Sequence, residues 1–179
     1  MKINSEISKI LSKEHENILK VIDVLEIKIN ELKNKEIDTV FFRKVIDFIR
    51  NYADKFHHAK EEDILFKEFN KCAEEGCVHC NPVEQMLIEH DLGRENVKKM
   101  EAGLNEKNKN KIIEGANGYI CLIKEHIFKE DNILYPMANE ALSESTKDKM
   151  LKKFKEIENE RKKIIKPYLD FISAISKNE

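Results

Sequence analysis

The chain has 179 residues, of which 41% are hydrophobic and 37% charged, and its formal net charge is −2. This length suits one domain of ordinary size, and the balanced charge gives no electrostatic reason to expect a nucleic-acid or membrane-surface partner. No apolar run is long enough to cross a bilayer, and the N-terminal sequence MKINSEISKI lacks the apolar core of a signal peptide. We therefore expect a cytoplasmic protein, either a monomer or a homodimer.

The low content of turn-forming residues, 5 Gly and 3 Pro, predicts long helices joined by short turns. Apolar residues recur at helical spacing in five segments. Asn81, Pro82 and Glu84 form a typical helix start, with the N-cap, the first and the third helical positions in order. The predicted helices cover about 5–33, 39–69, a segment from 81, 109–136 and a segment from 143.

Short connections between long helices force neighbouring helices to run antiparallel. Residues 1–140 should therefore form an up-down-up-down four-helix bundle. The apolar stripe of the last helix is weaker, so residues 141–179 are expected to form an additional C-terminal helix that packs on the bundle. The predicted fold class is all-α. The apolar stripes of the last three helices include Leu87, Ile133 and Ile164.

Two stretches of the sequence repeat one local pattern, HHAKEEDILF at 57–66 and HIFKEDNILY at 126–135. They lie on the second and fourth predicted helices, which suggests a site with pseudo-two-fold symmetry between those helices. The shared positions are His57 and His126, Lys60 and Lys129, Glu61 and Glu130, Ile64 and Ile133, and Leu65 and Leu134.

Helical periodicity separates the two neighbouring histidines of the first stretch. Residues three or four apart share a helix face, and His57 shares the apolar stripe of its helix with Glu61. These two side chains are therefore predicted to face inward. His58 lies in line with Asp54 and Glu62, so we expect it to face solvent or to lie in an outer layer around the site.

The same reasoning places polar side chains on the inward face of each of the four helices of the bundle. With about 1.5 Å of rise per residue, all of these side chains should lie within roughly one to two helical turns of the same height along the bundle. Two unpaired buried carboxylates would cost several kcal/mol, and no Lys or Arg is expected on the inward stripes to offset them. Six nitrogen and oxygen donors in a helical bundle suit two divalent metal ions. The predicted ligands are His15, His57, Glu61, His90, His126 and Glu130.

These residues and their spacing resemble the hemerythrin-like family, also called the HHE cation-binding domain. The resemblance covers about residues 8–140 and includes the stretches EEDILF, EHDLGR and HIFKEDNILYP. It implies two non-haem iron ions with terminal histidine ligands, bridged by Glu61 and Glu130. The residues themselves leave manganese open as an alternative to iron.

The chain departs from the oxygen-carrying hemerythrins at two points. Those proteins have a second histidine one turn from the third-helix ligand, where this chain has Met86 or Arg94, and they use His-x4-Asp where it has His126 and Glu130. The chain is therefore more similar to the four-histidine subgroup, which includes iron–sulfur repair and nitric-oxide-handling proteins. One histidine fewer leaves open positions on iron, which favours reaction over reversible storage of O2.

The resemblance implies a di-iron oxidoreductase that binds and reduces O2, peroxide or NO with an undetermined electron donor. Three alternatives remain open at this point. They are a sensor or carrier of O2 or iron without turnover, an iron–sulfur cluster repair or iron donor protein, and a bundle in which the metal is purely structural.

Several side chains around the ligands are further candidates. Tyr52 and Tyr119 are predicted to point inward near the ligands, where they could donate hydrogen bonds, transfer electrons or simply fill the core. Gly93 lies one turn beyond His90 and could leave room for a diatomic ligand or allow close helix packing. The acids next to ligand positions are expected on solvated faces; these are Glu14, Glu16 and Glu125.

The segment CAEEGCVHC offers a second candidate site. Cys72, Cys77, His79 and Cys80 could ligate zinc, although four donors in so short a stretch need a tight loop. Cys77 and Cys80 could instead form a redox thiol pair that serves the metal centre. Loop thiols without a role, kept reduced in the cytoplasm, are the simplest interpretation. Cys121 lies off the ligand stripe and is assigned no role.

Overall fold

The computed structural model of the protein describes residues 5–175. Its regular structure is entirely helical, and residues 5–175 contain no strand, which confirms the predicted all-α bundle. Short turns join the helices, so successive helices run in opposite directions. The helices are α1 (Glu6–Leu32), α2 (39–74), α3 (Val83–Asn105), α4 (109–141) and α5 (Glu144–Ile175).

Local side-chain caps fix where the helices begin. Four helices follow a polar residue that accepts a hydrogen bond from the amide three positions later; these residues are Ser5, Asp38, Asn108 and Ser143. Helix α3 begins one residue later than predicted. Val83 is its first residue, Pro82 occupies the cap position, and the Asn81 side chain accepts a hydrogen bond from the Val83 amide.

Helices α2 and α4 contain π-helical segments that the sequence periodicity did not predict. These are Ile49–His58 and Glu61–Leu65 in α2, and Glu130–Leu134 in α4. In a π-helix each amide bonds to the carbonyl five residues earlier, so one turn holds more residues than in an α-helix. Side chains five positions apart therefore share a face, and the two predicted bridging glutamates each begin such a segment.

Three apolar residues predicted on inward stripes are exposed. Ile133 is 47% exposed, whereas Ile64, at the same position of the repeat in α2, is buried in a core cluster that includes Phe154 of the last helix. Leu87 and Ile164 are 37% and 57% exposed. Their neighbours Met86 and Ile165 are buried instead, so the stripe shifts by one residue at these two places, while Val83 and Phe154 stay buried as predicted.

The core consists of two apolar clusters with a polar layer between them. One cluster contains Ile22 and Phe48, and the other contains Leu11 and Phe69. His15 lies on α1 between these two groups. The predicted ligands therefore occupy a level of the bundle that is closed by apolar side chains above and below.

Helix α5 packs along α1 and α2 and not along the opposite side of the bundle. Its buried residues Phe154 and Ile165 belong to the two core clusters. Lys60 of α2 lies over the Phe154 ring at 5.5 Å and contacts Glu158 at 3.6 Å. One face of the bundle is therefore covered by an additional helix.

Candidate metal centre

Four buried histidines, one from each of α1 to α4, meet in two pairs. The Nε2 atoms of His15 and His57 are 2.9 Å apart, and those of His90 and His126 are 3.0 Å apart. All four side chains are almost fully buried. We call His15 and His57 the first pair, and His90 and His126 the second pair.

The other ring nitrogen of every histidine contacts a carboxylate. A carboxylate can only accept, so each Nδ1 carries a proton and donates it. In a neutral imidazole the Nε2 atom then keeps its lone pair, as in metal-ligating histidines. Two lone pairs about 3 Å apart repel each other unless a cation lies between them. The Nδ1 contacts are His15 to Asp131 at 3.1 Å, His57 to Glu14 at 2.9 Å, His90 to Glu62 at 2.6 Å and His126 to Glu89 at 2.8 Å.

Two carboxylates, Glu61 and Glu130, lie between the histidine pairs and are fully buried. One oxygen of Glu130 lies 3.2 Å from Nε2 of His15, and its other oxygen lies 3.2 Å from Nε2 of His126. The Oε2 atom of Glu61 lies 3.5 Å from one Nε2 of the first pair and 3.7 Å from one of the second. Oε2 of Glu61 and both oxygens of Glu130 have no hydrogen-bond partner. Each carboxylate is therefore placed to bridge the two pairs.

The buried histidines and carboxylates of the polar layer need additional positive charge to offset the two carboxylates. Burial, followed by the nearby carboxylate of Glu130, raises the pKa of Glu61 well above its usual range. Burial opposes protonation of His15, but the hydrogen bond to Asp131 and the nearby carboxylate of Glu130 outweigh it and raise the pKa of this histidine to about 9. Without a metal, the layer would have to take up protons to offset its carboxylates.

The donors and their spacing fit two metal ions. Two nitrogens that are each about 2.1 Å from one ion, at right angles, lie about 3 Å apart, which is the spacing within both histidine pairs. Imidazole and bridging carboxylate are the donors that helical bundles offer to pairs of iron or manganese ions. The structure thus brings together all the ligands predicted from the sequence, namely His15, His57, Glu61, His90, His126 and Glu130.

The surroundings of the ligands repeat between the two halves of the chain. Glu14 and Glu89, each next to a ligand histidine, accept hydrogen bonds from Lys60 and Lys129, the lysines of the repeated pattern. Glu14 was expected on a solvated face, and this expectation is wrong. Its side chain is 6% exposed because it turns toward α2, where it accepts a hydrogen bond from His57. The expectation that no lysine enters the inward stripes is also wrong. Lys60 is fully buried, and Glu14 offsets its charge.

His58 breaks this symmetry. Its ring is 6% exposed and stacks on His90 with ring centroids 3.8 Å apart, so of the two predicted placements it takes the one in the layer around the site and not the one in solvent. His58 also lies 3.5 Å from the carboxylate of Asp54, four residues earlier, and groups with Asp54 and Glu62, with which the sequence periodicity aligned it. Ring nitrogens of His58, His90 and His126 lie within 4.8 Å of one another. The repeated position in α4 is Ile127.

Tyr135 is a residue of the site that the sequence analysis missed. Its hydroxyl donates a hydrogen bond to Oε1 of Glu61 at 2.5 Å and lies 3.3 Å from Nε2 of His15. Its amide donates to the carbonyl of Glu130, so the π-helical turn places it in line with a ligand. The signal was present in the repeat, because one copy ends in Tyr135 where the other ends in Phe66.

The three other candidates around the centre occupy different places. Tyr52 accepts a hydrogen bond from Asn17 at 2.8 Å and stacks on a phenylalanine in the core. The hydroxyl of Tyr119 is buried without a hydrogen-bond partner. Tyr119 and Gly93 both line a cavity of about 390 Å³ that ends at the second pair.

The cysteine-rich segment does not converge on one point. Cys72 is buried near the end of α2 and donates a hydrogen bond to the carbonyl of Ala141 at 3.5 Å. Cys77, His79 and Cys80 are exposed. Within residues 5–175, no three possible donors from this segment meet closely enough to hold a metal ion. The predicted zinc site is therefore not assembled in the structure.

The fold and the site together define a metal-binding helical bundle with paired histidines and bridging carboxylates. Residues 6–138 match the family model of the Hemerythrin HHE cation binding domain, and the chain belongs to this family. Comparisons with curated proteins and with solved structures returned no match. Across residues 5–175, no helix combines the length and apolar character needed to span a membrane.

Proposed function

We propose that the centre holds two iron ions and that the protein binds and reduces a small oxidant, namely O2, peroxide or NO. The observation that supports this proposal most strongly is that both buried carboxylates lie between two histidine pairs. Such donors suit two ions that share bridging ligands, whereas a structural zinc site closes at four ligands and prefers sulfur. The family resemblance favours iron over manganese.

Open coordination positions support a reactive role. Two histidines and two carboxylate oxygens would give each ion four ligands, whereas an octahedral site has about six. The cavity beside the second pair gives a small molecule a route to one ion. Iron held there would supply one electron per ion and a position at which an oxidant binds.

The chain's own residues would hold the ligands and control protons. The carboxylates that accept from Nδ1 keep each Nε2 directed at the centre. Tyr135 keeps Glu61 in place, and burial, with Glu130 and Glu61 nearby, raises the pKa of Tyr135 well above its usual range. Its hydroxyl therefore stays protonated and donates. The apolar clusters close the layer above and below, which leaves the cavity beside the second pair as an approach for small molecules.

Metal analysis and optical spectroscopy test the proposal together. Protein purified from iron-replete cells is analysed for iron, manganese and zinc, reduced without oxygen, and mixed separately with O2, hydrogen peroxide and NO. The proposal predicts two irons per chain and rapid oxidation that repeats when a chemical reductant is added. A long-lived, reversible absorption band would identify a carrier instead, and an unchanged spectrum would leave the metal a structural role.

A further inference from the structure

The cavity beside the second pair has a polar inner end and a charged rim. His58, His90 and His126 form the inner end, and the exposed Lys55 and Lys98 contribute to the opening between α2, α3 and α4. The remaining wall is mostly apolar. It includes Ile49, Gly93, Val97, Tyr119, Leu122 and Ile123.

The place beside the first pair that corresponds to this cavity is filled by a side chain. Gly93 follows His90 by three residues, and the equivalent position after His15 is Ile18. The Ile18 side chain is fully buried, so it fills the volume that Gly93 leaves empty. Helix α5 also covers the α1–α2 face of the bundle. The cavity is therefore specific to one half of a nearly symmetric site.

The cavity is much larger than a diatomic ligand requires. A water molecule takes up roughly 30 Å³ of liquid, and the cavity measures about 390 Å³. Cavities of roughly 300 to 1,000 Å³ are the size at which proteins bind small organic molecules. The volume alone indicates room for a ligand with about ten non-hydrogen atoms.

One residue of the cavity wall, Tyr119, has a buried hydroxyl without a hydrogen-bond partner. The Tyr119 side chain is 2% exposed. Burial raises the pKa of Tyr119, so the hydroxyl remains a donor.

The free charge at the rim is positive. Among residues 5–175, neither Lys55 nor Lys98 has a carboxylate partner within ion-pair distance, and Lys55 contacts only a neutral asparagine oxygen. The two acids of the lining are already engaged. Asp54 accepts from Arg94, and Glu89 accepts from a lysine and a histidine. An anionic group would therefore be favoured at the rim and an apolar group further inside.

We propose that this cavity binds a small amphipathic organic anion, of the class of a medium-chain monocarboxylate. The acid group lies at the Lys55 and Lys98 rim, and the chain extends past Gly93 and Tyr119 toward the second pair. The ligand would occupy the approach to the metal rather than a ligand position. The inference goes beyond the proposed reduction of an oxidant and does not depend on which oxidant reacts.

Calorimetric titration of the metal-loaded protein with octanoate and with 1-octanol tests this site. Both probes carry the same chain, and only octanoate carries a charge. We expect octanoate to bind about tenfold more tightly than 1-octanol, and raised salt should reduce this preference. Absence of octanoate binding, or equal binding of both probes at low salt, would overturn the proposal.

Three variants locate the binding. A Cβ atom at Gly93 would lie 3.5 Å from the Tyr119 ring, an ordinary contact, so Gly93→Ala should bind octanoate nearly as wild type does. Gly93→Leu fills the cavity and should weaken binding at least tenfold. The double variant Lys55→Gln, Lys98→Gln changes exposed residues and should remove the preference for octanoate without affecting folding. Octanoate binding that is unchanged in both Gly93→Leu and the double variant would contradict this location.

Metal content measured on the same samples separates this proposal from the proposed function. Protein that binds octanoate in a Gly93-dependent manner but contains no iron would refute the di-iron proposal and support the cavity. Protein with two irons and no octanoate binding would refute the cavity proposal alone.

Discussion

The two halves of the bundle supply the same ligands but give them different surroundings. In α1 and α2, the first pair is covered by α5, and Ile18 fills the space beside it. In α3 and α4, the second pair faces a cavity beside Gly93 and carries the extra ring of His58. The comparison indicates that the duplicated pattern places the predicted ligands, while single differing residues decide which histidine pair a small molecule can approach.

The largest loss of metal is expected at Glu130, whose carboxylate lies against both histidine pairs. Glu130→Ala removes a carboxylate that reaches both pairs, and we expect the loss of at least one of two irons per chain. Loss of about 3 kcal/mol of binding stabilisation should lower the melting temperature by roughly 6 to 12 °C in a chain of this size. Metal analysis and thermal melts of this variant provide the test.

The matched control is Glu125→Ala, which changes an exposed acid on the same helix. It should retain both irons and melt within about 1 °C of the wild type, because surface substitutions rarely exceed 0.5 kcal/mol. Equal iron loss in the two variants would show that the ligand face has been assigned incorrectly.

The repeated lysines should differ in their contribution to stability. Lys60 is fully buried, whereas the side chain of Lys129 is 32% exposed. Lys60→Met leaves Glu14 buried without its partner and should cost about 3 to 5 kcal/mol. Lys129→Met should cost about 1 kcal/mol or less. Urea unfolding of both variants measures the difference, and equal losses would contradict the account of α5 as the covering helix.

His58 and its counterpart Ile127 distinguish metal binding from packing. His58→Ala removes a ring beside the second pair and should weaken one of the two metal positions about tenfold or more. Ile127→Ala removes a side chain that is 4% exposed and should cost about 2 to 4 kcal/mol of stability while both irons remain. Titration with a chelator, read as iron released per chain, separates the two outcomes. Full iron retention by His58→Ala would make its ring a packing residue only.

The smallest effect on stability is expected at the last position of the repeat, which is Phe66 in one copy and Tyr135 in the other. Tyr135→Phe removes the hydroxyl that donates to Glu61 and should cost about 1 kcal/mol, or roughly 2 to 4 °C in melting temperature. The Mössbauer spectrum should change for one iron and not for the other. Tyr52→Phe is the control, because its hydroxyl contacts Asn17 away from the ligands. A Mössbauer change of the same size in both variants would contradict this placement.

Sequence periodicity was sufficient for the helices and for the side chains that converge on the centre. His15 and His90 lie on α-helical stretches, so a 3.6-residue period placed them correctly. The same period missed Tyr135, because a π-helical turn changes which residues share a face. Backbone hydrogen bonding decides where such turns form, and composition gives no direct sign of it.

Burial of the supporting charges was also beyond the sequence reasoning. A glutamate next to a ligand looks like a solvated residue until its partners are known. Glu14 is buried because it accepts from His57 on one side and from Lys60 on the other. These contacts join α1 to α2, so they depend on how the helices meet and not on the pattern within either helix.

The most direct test of the account is the metal content of folded protein, measured on one sample together with its helical circular dichroism. Protein expressed in iron-replete cells should be fully helical and contain two iron ions per chain. It should lose stability when a chelator removes them. A metal-free protein that is fully helical and as stable as the iron-containing protein would contradict the account, since its buried carboxylates would then need no cation.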